Sequence, residues 1–149
     1  MKTVLKSFEE LSKEELYAIL RARSEIFIVE QDCVYQDLDN RDQDCLHLYY
    51  EDEDGIAAYC RILRPGLAYP DASSIGRVIT VKRKTGLGIK IFQEAVHIAQ
   101  EKYPEHDIRI LAQSQAIGFY KKSGFQTLGQ EFIHEGLPHT EMIKYKRSR

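Results

Sequence analysis

Hydrophobic and polar positions change period several times along the chain, and each change predicts a new element of secondary structure. Alternation with period two, rich in β-branched and aromatic residues, is typical of strands. It predicts seven strands, at Lys2–Phe8, Cys45–Glu51, Ile56–Leu63, Ser74–Val81, Asp107–Gln113, Phe125–Ile133 and His139–Lys146. The fourth strand carries few charges, which favours a central place in a sheet.

Three helices are predicted between these strands. The first begins after Ser12, because Ser12 and Glu15 form a capping-box pattern, and it continues to Gln31. The third covers Ser114–Gly124 and ends at a glycine. The second follows Gly88 and buries one face through Leu87, Ile91, Phe92, Ala95, Val96 and Ala99. This order predicts an α/β (α+β) fold in three layers, with residues 1–149 forming a single domain.

Composition narrows the classes of function. Hydrophobic residues make up 43% of the 149 residues and charged residues 30%, as in ordinary globular domains. The net charge of −2 provides no positive field for nucleic acid. The apolar runs are too short to cross a bilayer, and the first residues lack a signal-peptide pattern. We therefore expect a cytoplasmic protein without a nucleic-acid or membrane partner.

The three cysteines, Cys33, Cys45 and Cys60, are odd in number and lack close pairs, which argues against a disulfide framework. Cys45 and His47 lie two residues apart, but no Cys-x-x-Cys accompanies them, so we expect no metal site. The loop Asp32–Asp44 is acidic and has no periodicity. Its carboxylates either attract a cationic ligand or are simply solvated.

The segment Arg83–Gly88, which reads Arg-Lys-Thr-Gly-Leu-Gly, opens the second helix. Gly86 and Gly88 would let a ligand approach the first N–H groups of that helix, which have no internal partners and lie at the positive end of its dipole. A phosphate group is their natural ligand. The segment is neither a Walker loop nor a dinucleotide fingerprint, since Ile91 stands where a third glycine is required. Taken alone, a tight turn between strand and helix explains it equally well. Three cations surround the turn: Lys82, Arg83 and Lys84.

Two motifs together resemble the GCN5-related N-acetyltransferase (GNAT) superfamily. The family's Arg/Gln-x-x-Gly-x-Gly/Ala motif is similar to Arg83–Gly88. Its Asn-x-x-Ala-x-x-Phe/Leu-Tyr-x-x-x-Gly-Phe motif is similar to Gln113–Phe125, with Gln113 in place of the common asparagine. Further segments resemble the ElaA-like subgroup of this family, namely Arg23–Asp39, Gly76–Val78 and His134–Met142. The resemblance covers nearly the whole chain.

The resemblance implies the GNAT fold, a mixed central sheet of about six to seven strands flanked by helices. It also implies a splayed parallel pair, Ile75–Val81 and Ile108–Gln113. Acetyl-CoA is the implied cofactor, with its pantetheine arm between these strands and its diphosphate on the N–H groups of residues 84 to 89. The implied cofactor-binding residues are Ile79, Thr80, Val81, Arg83, Lys84, Thr85, Gly86, Leu87, Gly88, Ile89, Gln113, Ala116, Phe119 and Tyr120.

The resemblance further implies direct transfer of an acetyl group to a primary amine of a small-molecule or peptide acceptor. Tyr120 matches the family tyrosine that acts as general acid on the leaving thiolate; its structural alternative is a half-buried aromatic with a satisfied hydroxyl. Glu30 and His47 are candidates for the general base. Glu30 is otherwise a solvated charge at a helix end, and His47 a core or surface histidine.

Four residues are candidates for binding the acceptor: Glu30, Arg77, Glu135 and His139. Glu135 and His139 belong to the late turn that borders the acceptor site in the family. Arg77 lies inside a central strand, where it needs a partner such as Glu30 or Asp39, so a structural ion pair is the alternative. A homodimer stays open, because dimers are common in the family.

The alternative function is a non-catalytic acyl-CoA-binding or regulatory module that uses the same cleft. Such a module needs the phosphate-binding turn but not Tyr120. A nucleotide-phosphate binder is disfavoured, since the Walker lysine is missing.

Overall fold

One mixed sheet of seven strands crosses the computed structural model, which describes residues 1–147. The strands are β1 Lys2–Ser7, β2 Leu46–Asp52, β3 Gly55–Leu63, β4 Ala72–Thr80, β5 Asp107–Gln113, β6 Gln126–His134 and β7 Leu137–Lys144. The helices within residues 1–147 are α1 Lys13–Ser24, α2 Leu87–Lys102 and α3 Ile117–Lys121, with a π-helical segment at Glu25–Glu30 and 3₁₀ turns at Asp42–Asp44 and Ser114–Ala116. Every predicted strand is present, and its bounds agree to within two residues.

The strands are ordered β1-β2-β3-β4-β5-β7-β6, and β4 and β5 form the parallel pair. This pair is joined through only two register positions, Ala72 with Asp107 and Ser73 with Ile108. Beyond them β4 continues beside β3 and β5 continues beside β7, so a gap opens between their carboxyl ends. The predicted mixed sheet and its splayed parallel pair are confirmed.

Helices cover the two faces of the sheet because alternate residues of each strand point to opposite sides. On one face Ile19 of α1 packs with Tyr49 of β2 and Tyr59 of β3. On the other face Phe92 of α2 packs among side chains that include Leu48 and Cys60. Since Tyr49 and Leu48 are neighbours, β2 contributes to both cores, and the predicted three layers are observed.

α1 begins with the predicted capping box. The backbone N–H of Glu15 donates to Ser12 Oγ at 3.0 Å, and the backbone N–H of Ser12 donates to Glu15 Oε1 at 2.9 Å. The helix then widens into the π-helical segment, which was predicted as ordinary helix. π-Helical turns are rare in proteins overall, and those that occur are frequently found at functional sites.

Arginines hold the acidic loop against the sheet, so two of its five carboxylates are buried rather than solvated. Arg23 is 0% exposed and Arg61 3%, while Asp37 and Asp42 are 6% each. Arg23 Nε donates to Asp37 Oδ2 at 3.0 Å, and Arg23 Nη1 donates to Asp42 Oδ1 at 2.7 Å. Arg61 Nη1 donates to the same Asp42 oxygen at 2.9 Å. Buried charges without partners cost several kcal/mol each, so the loop and its arginines act as one unit.

Within residues 1–147, every helix is too short or too polar to cross a bilayer.

Candidate active site

The turn between β4 and α2 carries a row of unpartnered backbone amides. Among residues 1–147, nothing accepts a hydrogen bond from the N–H groups of Lys84, Thr85, Gly86, Gly88 and Ile89. Thr85 Oγ1 donates to the Lys82 carbonyl oxygen at 2.7 Å, which ties the turn to the end of β4. Gly86 caps α2 in a left-handed conformation with φ of 76°, which glycine adopts without strain. The turn therefore offers several donors at the positive end of a helix.

Gly88 allows α2 to approach the end of β4 closely. A Cβ atom at position 88 would lie 2.6 Å from Thr80 Oγ1 and 3.8 Å from the Phe119 ring. A pocket of about 390 Å³ adjoins this contact, lined by Thr80, Arg83, Lys84, Gly86, Gly88, Ile89, Phe119 and Lys122. Its lining has three cations and no carboxylate, so it favours an anionic ligand.

Backbone groups at the end of β4 also face the gap. The N–H groups of Val81 and Lys82 both donate to the Ala57 carbonyl oxygen, at 2.8 and 3.3 Å. Successive peptide groups of a strand point to opposite sides, so the N–H and C=O of Thr80 point away from β3 and into the gap. Thr80 therefore offers a free backbone donor and a free acceptor to a ligand in the gap.

Tyr120 lies on α3, beyond the gap. Its ring makes edge contacts with Phe92 and Phe119, at centroid distances of 4.9 and 5.1 Å. Its hydroxyl has no hydrogen-bond partner within the described chain, yet it is not sealed from solvent. Burial of the ring raises the pKa of Tyr120 to about 12. The hydroxyl therefore stays protonated at neutral pH and is free to donate.

Two side-chain contacts connect the end of the π-helical segment with both sides of the gap. Glu30 pairs with Arg83 of the turn after β4. The next residue, Gln31, accepts a hydrogen bond through Oε1 from Gln113 Nε2 at the end of β5, at 3.3 Å. Glu30 therefore lies beside the cationic turn and is engaged with it.

A second group of side chains meets at the carboxyl end of β5. Gln113 is in register with His139 of β7. His139 is 8% exposed, and its Nδ1 donates to the Leu137 carbonyl oxygen at 2.8 Å. Because Nδ1 carries the proton, Nε2 has a free lone pair, and it has no hydrogen-bond partner among residues 1–147. Cys33 Sγ, 3.4 Å from the Glu135 carbonyl oxygen, joins the acidic loop to this group.

Two predicted site residues, His47 and Arg77, are engaged by other protein groups. His47 is fully buried on β2, two strands from the gap, and burial lowers its pKa. Its Nδ1 lies 2.7 Å from Tyr59 Oη and its Nε2 2.9 Å from the Asp42 carbonyl oxygen, which favours a structural role. Arg77 pairs with Asp37 at 2.8 Å and with Asp39 at 3.6 Å, and Asp37 was not a predicted partner.

Comparisons with known proteins agree with this geometry. The sequence model of the acetyltransferase (GNAT) domain family matches residues 8–146. A UPF0039 protein of Synechocystis is 36% identical over 139 residues, which cover 91% of this chain and 90% of the relative. Protein ElaA of Escherichia coli is 32% identical over 139 residues, which cover 91% of this chain and 90% of that protein.

Solved structures give the same picture. The crystal structure of E. coli ElaA superposes with a TM-score of 0.88 at 30% identity, covering 96% of this chain and 98% of that one. An acyl-CoA N-acyltransferase from Pseudomonas aeruginosa superposes with a TM-score of 0.89 at 30% identity, with the same coverage. The similarity spans both the gap and the turn after β4.

Proposed function

The chain belongs to the GNAT acetyltransferase family, and from this premise we propose that it moves an acetyl group from acetyl-CoA to a primary amine. Membership implies an acyltransferase with a CoA-derived donor and an acceptor. We further propose that the group transferred is acetyl and that the acceptor is the amine of a small molecule or peptide. The unpartnered amides at the start of α2 support the proposal most directly, because they offer the donors that the diphosphate of a CoA ester requires.

The donor is proposed to bind along the gap with its diphosphate on the turn. The amides of Lys84 to Ile89 face the phosphate oxygens, and three side chains add charge to the pocket, namely those of Arg83, Lys84 and Lys122. The amide groups of the pantetheine arm would continue the sheet by pairing with the free peptide groups of β4. The Thr80 N–H then donates to the acyl oxygen as negative charge develops there.

Tyr120 is proposed as the general acid. It donates its proton to the sulfur as the C–S bond breaks and the amine nitrogen bonds to the acyl carbon. The absence of a competing acceptor for its hydroxyl within residues 1–147 supports this role over that of a satisfied core tyrosine. Its raised pKa ensures that the proton is present at neutral pH.

We propose His139 as the group that takes the proton lost by the amine nitrogen. Its Nε2 is unprotonated in the neutral ring and unbonded, whereas Glu30 is paired with Arg83 and both nitrogens of His47 are engaged. Exchange of this proton to the Tyr120 phenolate through solvent restores both groups. Net, an amine and a thioester become an amide and a thiol.

Replacing His139 by glutamine is expected to lower kcat/KM about tenfold at neutral pH, less than a typical general base because solvent replaces part of its role. His134→Gln is the matched control, because that exposed ring lies 5.3 Å from His139. If both substitutions lower kcat/KM equally, His139 is not the group that takes the amine proton.

The proposed function is tested by mixing the protein with acetyl-CoA and a panel of amines while measuring free thiol. The panel contains a polyamine, an aminoglycoside, an amino acid and a lysine peptide. We expect at least one amine to release thiol well above hydrolysis, with the acetylated product visible by mass spectrometry. Binding of acetyl-CoA without turnover of any amine would instead favour the non-catalytic acyl-CoA-binding module.

A further inference from the structure

Arg77 is the point at which β4 departs from regular strand geometry. Its φ is 51°, in the left-handed region that arginine adopts at a cost. Tyr59 of β3 is in register with Ile79, and Arg61 of β3 with Gly76. Two residues of β4, Arg77 and Val78, therefore face the single intervening residue of β3, which is the arrangement of a β-bulge.

The bulge decides which peptide groups of β4 point into the gap. If the register of Gly76 with Arg61 continued without interruption, Thr80 would lie opposite Ala57 and its N–H would point to β3. The extra residue instead places Val81 there, and Val81 N–H donates to the Ala57 carbonyl oxygen at 2.8 Å. Because a shift of one residue reverses the direction of every following group, the bulge turns Thr80 toward the gap.

The left-handed backbone at Arg77 is held by its own side chain. Arg77 Nε donates to Asp37 Oδ1, and Arg77 Nη2 donates to the Asp37 carbonyl oxygen, both at 2.8 Å. This fork is bidentate and largely shielded, since the Arg77 side chain is 22% exposed and Asp37 only 6%. Two charge-assisted bonds in a fixed plane restrict both position and orientation.

Asp37 is itself immobilised from the opposite side. Arg23 Nε donates to Asp37 Oδ2 at 3.0 Å, and Arg23 Nη2 donates to its carbonyl oxygen at 3.1 Å. Arg23 is fully buried on α1 and also bonded to Asp42. Asp37 therefore stays paired even without Arg77, which makes position 77 open to substitution.

We propose that Arg77 is a positioning residue rather than a ligand of the acceptor. Its fork to Asp37 holds the bulge, and the bulge aims the Thr80 amide at the acyl donor. The inference rests on the proposed function, because it assigns that amide to the donor. It also links the acidic loop to the cofactor strand through one side chain.

The test compares Arg77→Ala with Arg77→Gly. Both remove the same guanidinium, but only glycine adopts positive φ without cost. We expect alanine to weaken acetyl-CoA binding and kcat/KM about tenfold, and glycine to recover about fivefold of that loss, with the KM of the amine unchanged in both. Equal losses, a raised KM for the amine, or no loss in either variant would overturn the proposal.

A second pair keeps the test decisive if Arg77→Ala does not fold. Arg77→Asn and Arg77→Gln both lose the charge, but only asparagine favours positive φ. We expect the asparagine variant to bind acetyl-CoA more tightly than the glutamine variant, and equal or reversed affinities would refute the positioning role. Calorimetry with acetyl-CoA measures this order even if no amine is turned over. Absence of turnover would count against the proposed function and not against the positioning role of Arg77.

Discussion

Replacing Tyr120 by phenylalanine is expected to lower kcat about 10²- to 10³-fold while leaving the dissociation constant of acetyl-CoA within about twofold. The substitution removes one oxygen and keeps the ring contacts with Phe92 and Phe119. The hydroxyl bonds nothing within residues 1–147, so its loss leaves no protein group without a partner. Only the leaving sulfur would lose a donor. Stopped assays of thiol release and calorimetry measure the two constants.

Tyr50→Phe provides the matched control. The Tyr50 hydroxyl also belongs to the core beneath α2, but it donates to Glu94 Oε1 at 2.6 Å and not toward the gap. We expect Tyr50→Phe to keep kcat within about twofold and to lower the free energy of unfolding by about 1 kcal/mol. If Tyr120→Phe keeps full activity, the general-acid assignment is wrong, and solvent or another group protonates the leaving sulfur.

The pKa of Tyr120 adds an independent check on the same residue. Burial raises it to about 12, so the phenol holds its proton until the solution is strongly alkaline. Ionisation of Tyr120 should therefore cause no loss of kcat on the alkaline side until about pH 11. A fall that occurs in the wild type well below this pH, and disappears in Tyr120→Phe, would show that the pKa of Tyr120 is not raised to this extent.

Features that depend on local sequence were predicted well. β5 begins and ends at the predicted Asp107 and Gln113, and the capping box starts α1 where Ser12 and Glu15 indicate. The turn after β4 was recognised because closely spaced glycines and cations act over a few residues. Each of these elements depends on contacts between near neighbours, which a period or a short motif records.

The relations that complete the site join distant parts of the chain, and no local pattern indicated them. Glu30 pairs with Arg83, 53 residues away, and Cys33 approaches Glu135, 102 residues away. The bulge at Arg77 was missed as well, because it follows from pairing with Asp37 across 40 residues. One signal for this ion-pair network was present in the sequence. Arg61 lies within an apolar strand, which indicates a buried charge that needs a partner, and the acidic loop contains carboxylates that could pair with it. The spacing of charges along the sequence does not determine which arginine pairs with which carboxylate. The prediction for that loop was therefore solvated carboxylates or attraction of a cationic ligand.

Changing Gly86 to aspartate is expected to weaken acetyl-CoA binding about 10²-fold, because the new charge would lie beside the diphosphate. Two like charges about 5 Å apart repel by roughly 3 kcal/mol at the effective dielectric constant of a protein surface. The fold should tolerate the change, since an added Cβ meets nothing within 4 Å and aspartate accepts left-handed backbone better than most residues. Calorimetry at several salt concentrations measures the loss, which should shrink as ionic strength rises.

Gly86→Asn separates charge from shape in this experiment. Asparagine has nearly the same size as aspartate and suits the φ of 76° at this position, but it carries no charge. We expect its dissociation constant for acetyl-CoA to stay within about threefold of the wild type, so that the aspartate and asparagine variants differ by about 10²-fold at low salt. Similar affinities of the two variants would mean that the diphosphate binds elsewhere. The amides of residues 84 to 89 would then have no role in holding the donor, and the proposed geometry of the whole gap would fail with them.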